Sequence, residues 1–102
     1  MSIARELATF LTGVSQDDLP PQALEHAAML ISSTLASAAG GSEIASSSII
    51  HVLAKDRGGT PEASIWFDSG PKLPVGDVAQ VNAVMSDSAA SDDSDLRNIV
   101  HA

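Results

Sequence analysis

Residues 21–41 read PQALEHAAMLISSTLASAAGG, and this stretch decides the fold class of the chain. Its larger apolar residues recur at helical spacing, and its last six residues are all Ala, Ser or Gly. Pro21 suits the first turn of a helix, while Gly40 and Gly41 are typical of a helix end. Small side chains let helix backbones approach closely, so we expect a helix enclosed by other helices. Its predicted buried stripe consists of Leu24, Ala27, Ala28, Ile31 and Leu35.

Helical spacing continues on both sides of that stretch. Upstream, residues 2–13 form an amphipathic pattern that ends at Gly13. Downstream, residues 43–57 form another, for which Ser42 is the expected N-cap, and residues 75–89 form a fourth. The predicted inward-facing residues of these three helices are Ile3, Leu7, Phe10, Leu11 and Val14, then Ile44, Ile49, Val52 and Leu53, and finally Val78, Val81 and Met85.

A short β-hairpin is predicted between the third and fourth helices. Residues 62–67 alternate between apolar and polar positions, as a half-buried strand does. Residues 68–71 have the composition of a turn, and Lys72 and Leu73 are expected to pair back. The predicted fold is therefore mainly α, a helical-bundle segment with one short hairpin.

Composition argues against several classes of function. The chain of 102 residues carries thirteen acidic and five basic residues, for a net charge of −8. Binding to nucleic acid or to an anionic membrane surface relies on basic side chains, so neither is expected. There is no cysteine, and therefore no disulfide framework and no thiolate chemistry. No apolar run is long enough to span a membrane and no signal-peptide pattern opens the chain, so a cytoplasmic location is predicted.

Three segments resemble the amino-terminal region of the MmgE/PrpD family, which includes 2-methylcitrate dehydratase, cis-aconitate decarboxylase and iminodisuccinate epimerase. They are residues 30–41 (LISSTLASAAGG), residues 58–66 (GGTPEASIW), and residues 79–84 (AQVNAV) leading to Asp92 and Asp93. The family places a helix ending in small residues before a Gly-Gly bend, a short strand, and a helix that leads to a paired-Asp loop. The resemblance covers essentially this whole chain, but only about the first quarter of a family member.

Four positions depart from the family pattern. Asp87 and Ala90 stand where the family loop carries a His and a further Asp. Ser33 replaces an acidic residue of the second helix, and Ala83 replaces a common Gly. These differences favour a divergent branch that acts on a carboxylic acid other than methylcitrate.

The resemblance implies removal of a proton alpha to a carboxylate, followed by loss of water, loss of carbon dioxide, or return of the proton on the other face. His101 matches the family histidine after the paired-Asp loop, allowing a one-residue insertion. His suits proton transfer because its unperturbed pKa is about 6.5. Asp92 and Asp93 match the paired acids and are expected to orient polar partners or the loop. These three are the predicted catalytic residues, and the predicted substrate contacts are Arg97, Ser94 and Asp95.

Other interpretations of the acidic segment stay open. Residues 92–95 equally fit a solvated turn that caps a following helix. They lack the central Gly and distal Glu of a calcium loop, and His26, His51 and His101 have no closely spaced partners for zinc. The resemblance likewise implies neither a metal nor an organic cofactor. Asn82 is expected to hydrogen-bond the Asp loop, and Trp66 to pack against a part of the protein beyond this chain.

The predicted function is that of an enzyme segment, a lyase or an isomerase acting on a small di- or tricarboxylic acid. Residues 1–102 would be the amino-terminal part of a larger all-helical domain, whose remainder lies outside this chain. The expected partners are the carboxylate substrate and either a second copy of the chain or a second chain that completes the fold. The chain alone is expected to be inactive. The alternatives are a non-catalytic helical interaction module and a helical domain with no site.

Overall fold

The computed structural model describes residues 2–89 and the backbone of four residues beyond them. This part of the chain contains four α-helices: α1 (Ile3–Gly13), α2 (Pro21–Gly41), α3 (Ala45–Arg57) and α4 (Val75–Ser88). A 3₁₀ turn at Gln16–Asp18 lies between α1 and α2. Two strands of two residues each, β1 (Ser94–Asp95) and β2 (Val100–His101), pair in antiparallel orientation. The prediction of a mainly α fold is confirmed.

Local chemistry explains where several helices begin and end. The Ser2 hydroxyl accepts a hydrogen bond from the backbone N–H of Arg5 at 3.3 Å, and so caps the start of α1. Pro21 lies in the first turn of α2, where the missing N–H is tolerated. After α3, Gly58 and Gly59 have φ angles of +59° and +123°. Glycine adopts such angles at low cost, so the chain leaves the helix at this bend.

The predicted N-cap of the third helix is wrong. The Ser42 hydroxyl donates back to the carbonyl oxygen of Ala39 at 2.8 Å, and Ser42 therefore belongs to the end of α2. Serine often bonds to a carbonyl three or four residues earlier, which competes with capping. Helix α3 begins at Ala45, after Ile44, whose side chain provides no cap.

The predicted hairpin is also wrong as a pair of strands. Only one bridge forms in this described segment, between Ala63 and Leu73, with reciprocal N–H···O distances of 2.9 Å. Beyond it the chain turns at Trp66 and Phe67, and Phe67 has a φ of +60°. The backbone N–H of Trp66 donates to the Asn82 side chain at 3.0 Å. A side chain of α4 thus takes the donor that a strand ladder would have used.

Helix α4 is the centre of the fold, and it packs against both α2 and α3. Its residues Val78, Val81 and Met85 face inward as predicted, each at most 4% exposed. The other buried apolar residues come from α2, from α3 and from the segment between α3 and α4; they are Ala38, Ala54, Ile65 and Leu73. The core is therefore small and consists of one layer of side chains around a single helix.

The end of α2 crosses α4 at very close range. Gly41 is buried, and a Cβ atom added to it would overlap the backbone carbonyl of Met85. Only a residue without a side chain permits this approach. The small residues at the end of α2 therefore set the distance between the two helices, as the sequence pattern indicated.

Most residues predicted to face inward on α1, α2 and α3 are exposed instead. No residue of α1 is buried, and Phe10 and Ile31 expose 65% and 63% of their surface. On α3 the buried residues are the small Ser47 and Ala54. Periodicity shows which residues share a face, whereas burial needs a neighbour to cover that face. We call the exposed residues the uncovered stripes: Ile3, Leu7, Phe10 and Leu11 on α1; Leu24, Ala27, Ala28, Ile31 and Leu35 on α2; and Ile44, Ile49, Val52 and Leu53 at α3.

The dimensions of the chain agree with this exposure. Its radius of gyration is 16.8 Å, whereas a compact domain of this length has about 13 Å. Its accessible surface is 7438 Å², whereas a folded monomer of 10.4 kDa exposes about 5,400 Å². The excess of about 2,000 Å² is large for a molecule of this size.

Candidate functional site

The structure divides the six predicted site residues into two groups. Asp92, Asp93 and Arg97 lie outside the described residues. Ser94 and Asp95 form β1, and His101 is the second residue of β2. The strand register places Ser94 opposite His101 and Asp95 opposite Val100. Opposite residues of an antiparallel pair have Cα atoms about 4.5–5.5 Å apart. The backbone therefore brings a predicted catalytic residue next to a predicted substrate contact.

Helix α4 immediately precedes the segment that contains β1 and β2. Its last residue is Ser88, only six positions before β1. The helix is held at Met85 by its crossing with Gly41. The predicted site residues therefore come directly after the most enclosed helix of the fold.

Asn82 makes a tertiary contact that the sequence did not predict. It is 8% exposed, and its side-chain oxygen accepts the hydrogen bond from the N–H of Trp66. The prediction of a bond from Asn82 to the Asp loop stays a prediction, because Asp92 and Asp93 lie outside the described residues. The contact with Trp66 holds the turn after Ile65 against α4. A buried amide that bonds a distant backbone group gives no distinctive sequence signal.

A charged cluster between α3 and the following turn was missed by sequence reasoning. One oxygen of Asp68, Oδ2, accepts a hydrogen bond from the N–H of Gly70 at 3.0 Å. The same oxygen lies 3.7 Å from His51 Nε2 and 3.9 Å from Lys55 Nζ. His51 Nε2 is shielded from solvent and has no hydrogen-bond partner among the described residues. The spacing of His51 and Lys55 puts them on one face of α3, but nothing in the sequence shows that Asp68 reaches them.

Two aromatic residues lie beside this cluster in the sequence. Trp66 is 39% exposed and Phe67 is 65% exposed. The positive φ of Phe67 is unusual for a residue with a large side chain. The packing of Trp66 against a part beyond this chain stays a prediction.

An ion pair and a shallow groove lie on the other side of α3, away from His51 and Lys55. Arg57 Nη2 lies 3.2 Å from Asp77 Oδ1, which joins the end of α3 to the start of α4. The nearby groove is lined by Ile50, Leu53, Asp56, Arg57 and Gln80. A partly exposed pair of this kind is worth little stability, about 0–1 kcal/mol. Neither Lys55 nor Arg57 is a free cation for a substrate, since each already lies beside a carboxylate.

The described residues contain no group of three or more metal-ligating side chains that could hold a metal ion. None of the helices in that part of the chain is long and apolar enough to cross a membrane.

Comparison with known proteins identifies the class of this fold as the helical amino-terminal domain that the sequence resembles. The family model of the MmgE/PrpD N-terminal domain matches residues 5–102. The chain belongs to the MmgE/PrpD family and represents its amino-terminal domain. The match includes all six predicted site residues. No curated protein and no solved structure matches the chain.

Proposed function

We propose that this chain is the amino-terminal segment of a cofactor-independent enzyme that removes a proton alpha to a carboxylate of a small di- or tricarboxylic acid. The observation that carries the proposal is the family match, which extends through the segment containing His101. In this proposal the enzyme is a dehydratase, a decarboxylase or an epimerase. From the resulting carbanion, dehydration expels the beta hydroxyl as water and epimerisation returns the proton on the other face. Decarboxylation requires that the proton first return at another carbon; carbon dioxide then leaves, and the carbon that keeps the bonding pair takes up a proton.

The proposed roles rest on side-chain chemistry. His101 acts as the general base or acid, because imidazole exchanges protons near neutral pH. Asp92 and Asp93 orient the polar groups around it. Arg97 and Ser94 bind the substrate carboxylates as cation and hydrogen-bond donor, and Asp95 bonds a substrate hydroxyl. The antiparallel pairing of Ser94 with His101 supports their assignment to one site.

The uncovered stripes support a requirement for further protein. Large side chains of these stripes expose more than half of their surface, among them Phe10, Ile31 and Ile49, and exposed apolar surface of this kind marks protein interaction sites. We propose that a second copy of this chain, or a second chain that completes the helical domain, covers these stripes. The same partner would supply the cations that hold a polyanionic substrate. The chain alone is then inactive, and a cytoplasmic location belongs to the same proposal.

The experiment that tests the function is deuterium incorporation at the alpha carbon. Intact-mass analysis of the material purified from its source first identifies any companion chain. The chain is then incubated with and without that companion in heavy water, with a panel of small di- and tricarboxylates. Proton NMR detects exchange whether the reaction ends in elimination, decarboxylation or epimerisation. We expect exchange only in the complete assembly.

His101→Asn is the decisive variant for the catalytic role. We expect it to lower the exchange rate by about 10²–10⁴, the usual contribution of general acid–base catalysis. His26→Asn is the matched control, because His26 is an exposed residue of α2. If His101→Asn exchanges the alpha proton at the wild-type rate, the catalytic assignment is wrong.

A non-catalytic interaction module is the second candidate, and the uncovered stripes are the observation that favours it. Such a module would associate through those stripes without any companion and without substrate turnover. A single folded species that forms a stable oligomer alone, and that exchanges no alpha proton in any assembly, would establish this alternative.

A further inference from the structure

Three serine hydroxyls meet where the end of α4 passes the start of α3. Ser88 Oγ lies 3.0 Å from Ser46 Oγ and 3.0 Å from Ser47 Oγ. Ser47 is 1% exposed, whereas Ser46 is exposed and Ser88 is half-buried. These are contacts between residues more than forty positions apart, and they join the last residue of one helix to the first turn of another.

The direction of these hydrogen bonds is fixed by counting protons. Ser88 Oγ donates its only proton to the carbonyl oxygen of Val84 at 2.6 Å. It therefore accepts from both Ser46 and Ser47, which uses both of its lone pairs. Every hydrogen-bonding position of the Ser88 hydroxyl is thus occupied. Loss of that oxygen would leave the Ser47 hydroxyl buried without this acceptor.

The same helical turn is also held by α2. Met85, three residues before Ser88, lies against Gly41 at the end of α2. The last turn of α4 is therefore fixed by α2 at Met85 and by α3 at Ser88. The orientation of this last turn therefore depends on both contacts.

We propose that Ser88 and Ser47 are positioning residues for the segment that carries His101. Their hydrogen bond to each other sets the exit direction of the chain from α4, and thereby the placement of β1 and β2. The catalytic consequence rests on the proposed function, whereas the placement itself does not. A hydroxyl that only stabilised the packing of α3 on α4 would change the free energy of unfolding without displacing that segment.

Ser86 provides a matched control on the same helix. Its hydroxyl donates to the carbonyl oxygen of Asn82 at 2.8 Å, which is the same bond within the helix that Ser88 makes to Val84. The described contacts give Ser86 no bond to α3. The variants Ser88→Ala and Ser86→Ala therefore lose the same local bond, and only the first loses the contact between helices.

The test compares backbone amide NMR signals of Ser94, Asp95, Val100 and His101 in the full chain. We expect Ser88→Ala to shift these signals at least about threefold more than Ser86→Ala does, since it removes tertiary contacts in addition to the local bond. Ser88→Thr keeps the hydroxyl and is expected to restore them. Ser47→Ala is the second variant, because it removes the buried donor to the same oxygen and leaves the bond of Ser88 to Val84 in place.

The outcomes separate this proposal from the proposed function. If Ser88→Ala and Ser47→Ala shift the four signals no more than Ser86→Ala does, the positioning role is overturned. If the signals move but no assembly exchanges an alpha proton, the placement stands and the proposed function fails. In a complete active assembly, we expect Ser88→Ala to lower kcat about tenfold with little change in KM, since misplacement of a catalytic group acts on the chemical step.

Discussion

Gly41 has a role that depends on the absence of a side chain. The carbonyl of Met85 occupies the position that a Cβ on Gly41 would need. Its neighbour Gly40 has open space around it and lies in the same helix. These two glycines look equivalent in the sequence, yet a side chain fits at Gly40 and does not fit at Gly41.

We predict opposite effects of alanine at these two positions. Gly41→Ala forces α2 away from α4 and is expected to lower the free energy of unfolding by about 1–3 kcal/mol, the usual cost of overpacking. Gly40→Ala is expected to raise it by at most about 0.5–1 kcal/mol, because alanine forms helix better than glycine and a Cβ at this position meets open space. Urea denaturation followed by circular dichroism measures both. Equal effects of the two substitutions would contradict the close crossing.

Asp18 holds the turn between α1 and α2 through a single oxygen. The backbone N–H of Ser15 donates to Asp18 Oδ2 at 2.8 Å, and the Ser15 hydroxyl donates to the same atom at 2.9 Å. The backbone hydrogen bond, and after it the hydroxyl, hold the pKa of Asp18 below its ordinary value of 3.8. Both bonds favour the ionised carboxylate as acceptor.

The contribution of this turn is predicted to disappear in acid. Because the folded pKa is lowered, the stabilisation is complete above pH 3.8 and is lost as the pH falls through the folded pKa. A carbon-13 NMR titration of the Asp18 carboxyl measures that value. In Ser15→Ala the hydroxyl bond is lost and the backbone bond remains, so the pKa is expected to rise part of the way. A titration midpoint at or above the ordinary value would refute the pairing.

The turn after Ile65 shows how a tertiary contact replaces regular secondary structure. Alternation over residues 62–67 predicted a strand, but only one bridge forms, between Ala63 and Leu73. The pairing stops after one bridge because Asn82 takes the N–H of Trp66 and the chain turns at Phe67. The alternation of six residues contains no information about a hydrogen bond to a residue sixteen positions away.

Removal of the Asn82 side chain is predicted to release this turn. Asn82→Ala leaves the N–H of Trp66 without its partner, and loss of this partly buried hydrogen bond costs about 0.5–1.5 kcal/mol. Trp66 is the single tryptophan of the chain, so its fluorescence reports the change directly. Gln80→Ala is the control, because Gln80 is an exposed residue of the same helix. An emission spectrum of Asn82→Ala identical to that of the wild type would argue against the contact.

The hydrophobic pattern predicts where the helices lie better than it predicts which of their faces are buried. The predicted bounds of the first, second and fourth helices agree closely with the structure. The inward face of α4 is also correct, because Val78, Val81 and Met85 contact helices that are present. The predicted inward faces of α1, α2 and α3 are wrong, because no helix or loop of the described structure covers them.

The uncovered stripes and the net charge have opposing effects on association of the whole chain. Apolar surface favours association by about 25 cal/mol per Å² removed from water. A charge of −8 on each copy opposes it through repulsion that salt screens. Any self-association is therefore expected to strengthen as the ionic strength rises.

We predict that a charge within the α1 stripe weakens association. Phe10 is 65% exposed on the apolar face of α1, so Phe10→Glu is expected to lower the associated fraction in sedimentation velocity while the α2–α4 core stays folded. Thr9→Glu places the same charge on the polar side of the helix, in line with Arg5 and Thr12, and serves as the control. If both variants associate as the wild type does, α1 is not part of the interface.

The helices, their glycine ends, the charge balance and the family follow from the sequence alone. The charge balance depends only on residue counts, and the other three depend on residue types at local spacing. The identities of the predicted site residues came from the family resemblance and stay predictions. The partner of Asn82, the contrast between Gly40 and Gly41, and the meeting of Ser47 with Ser88 became visible only in the folded arrangement. Each of these depends on atoms from distant parts of the chain meeting at ångström distances, and local sequence patterns carry no information about that.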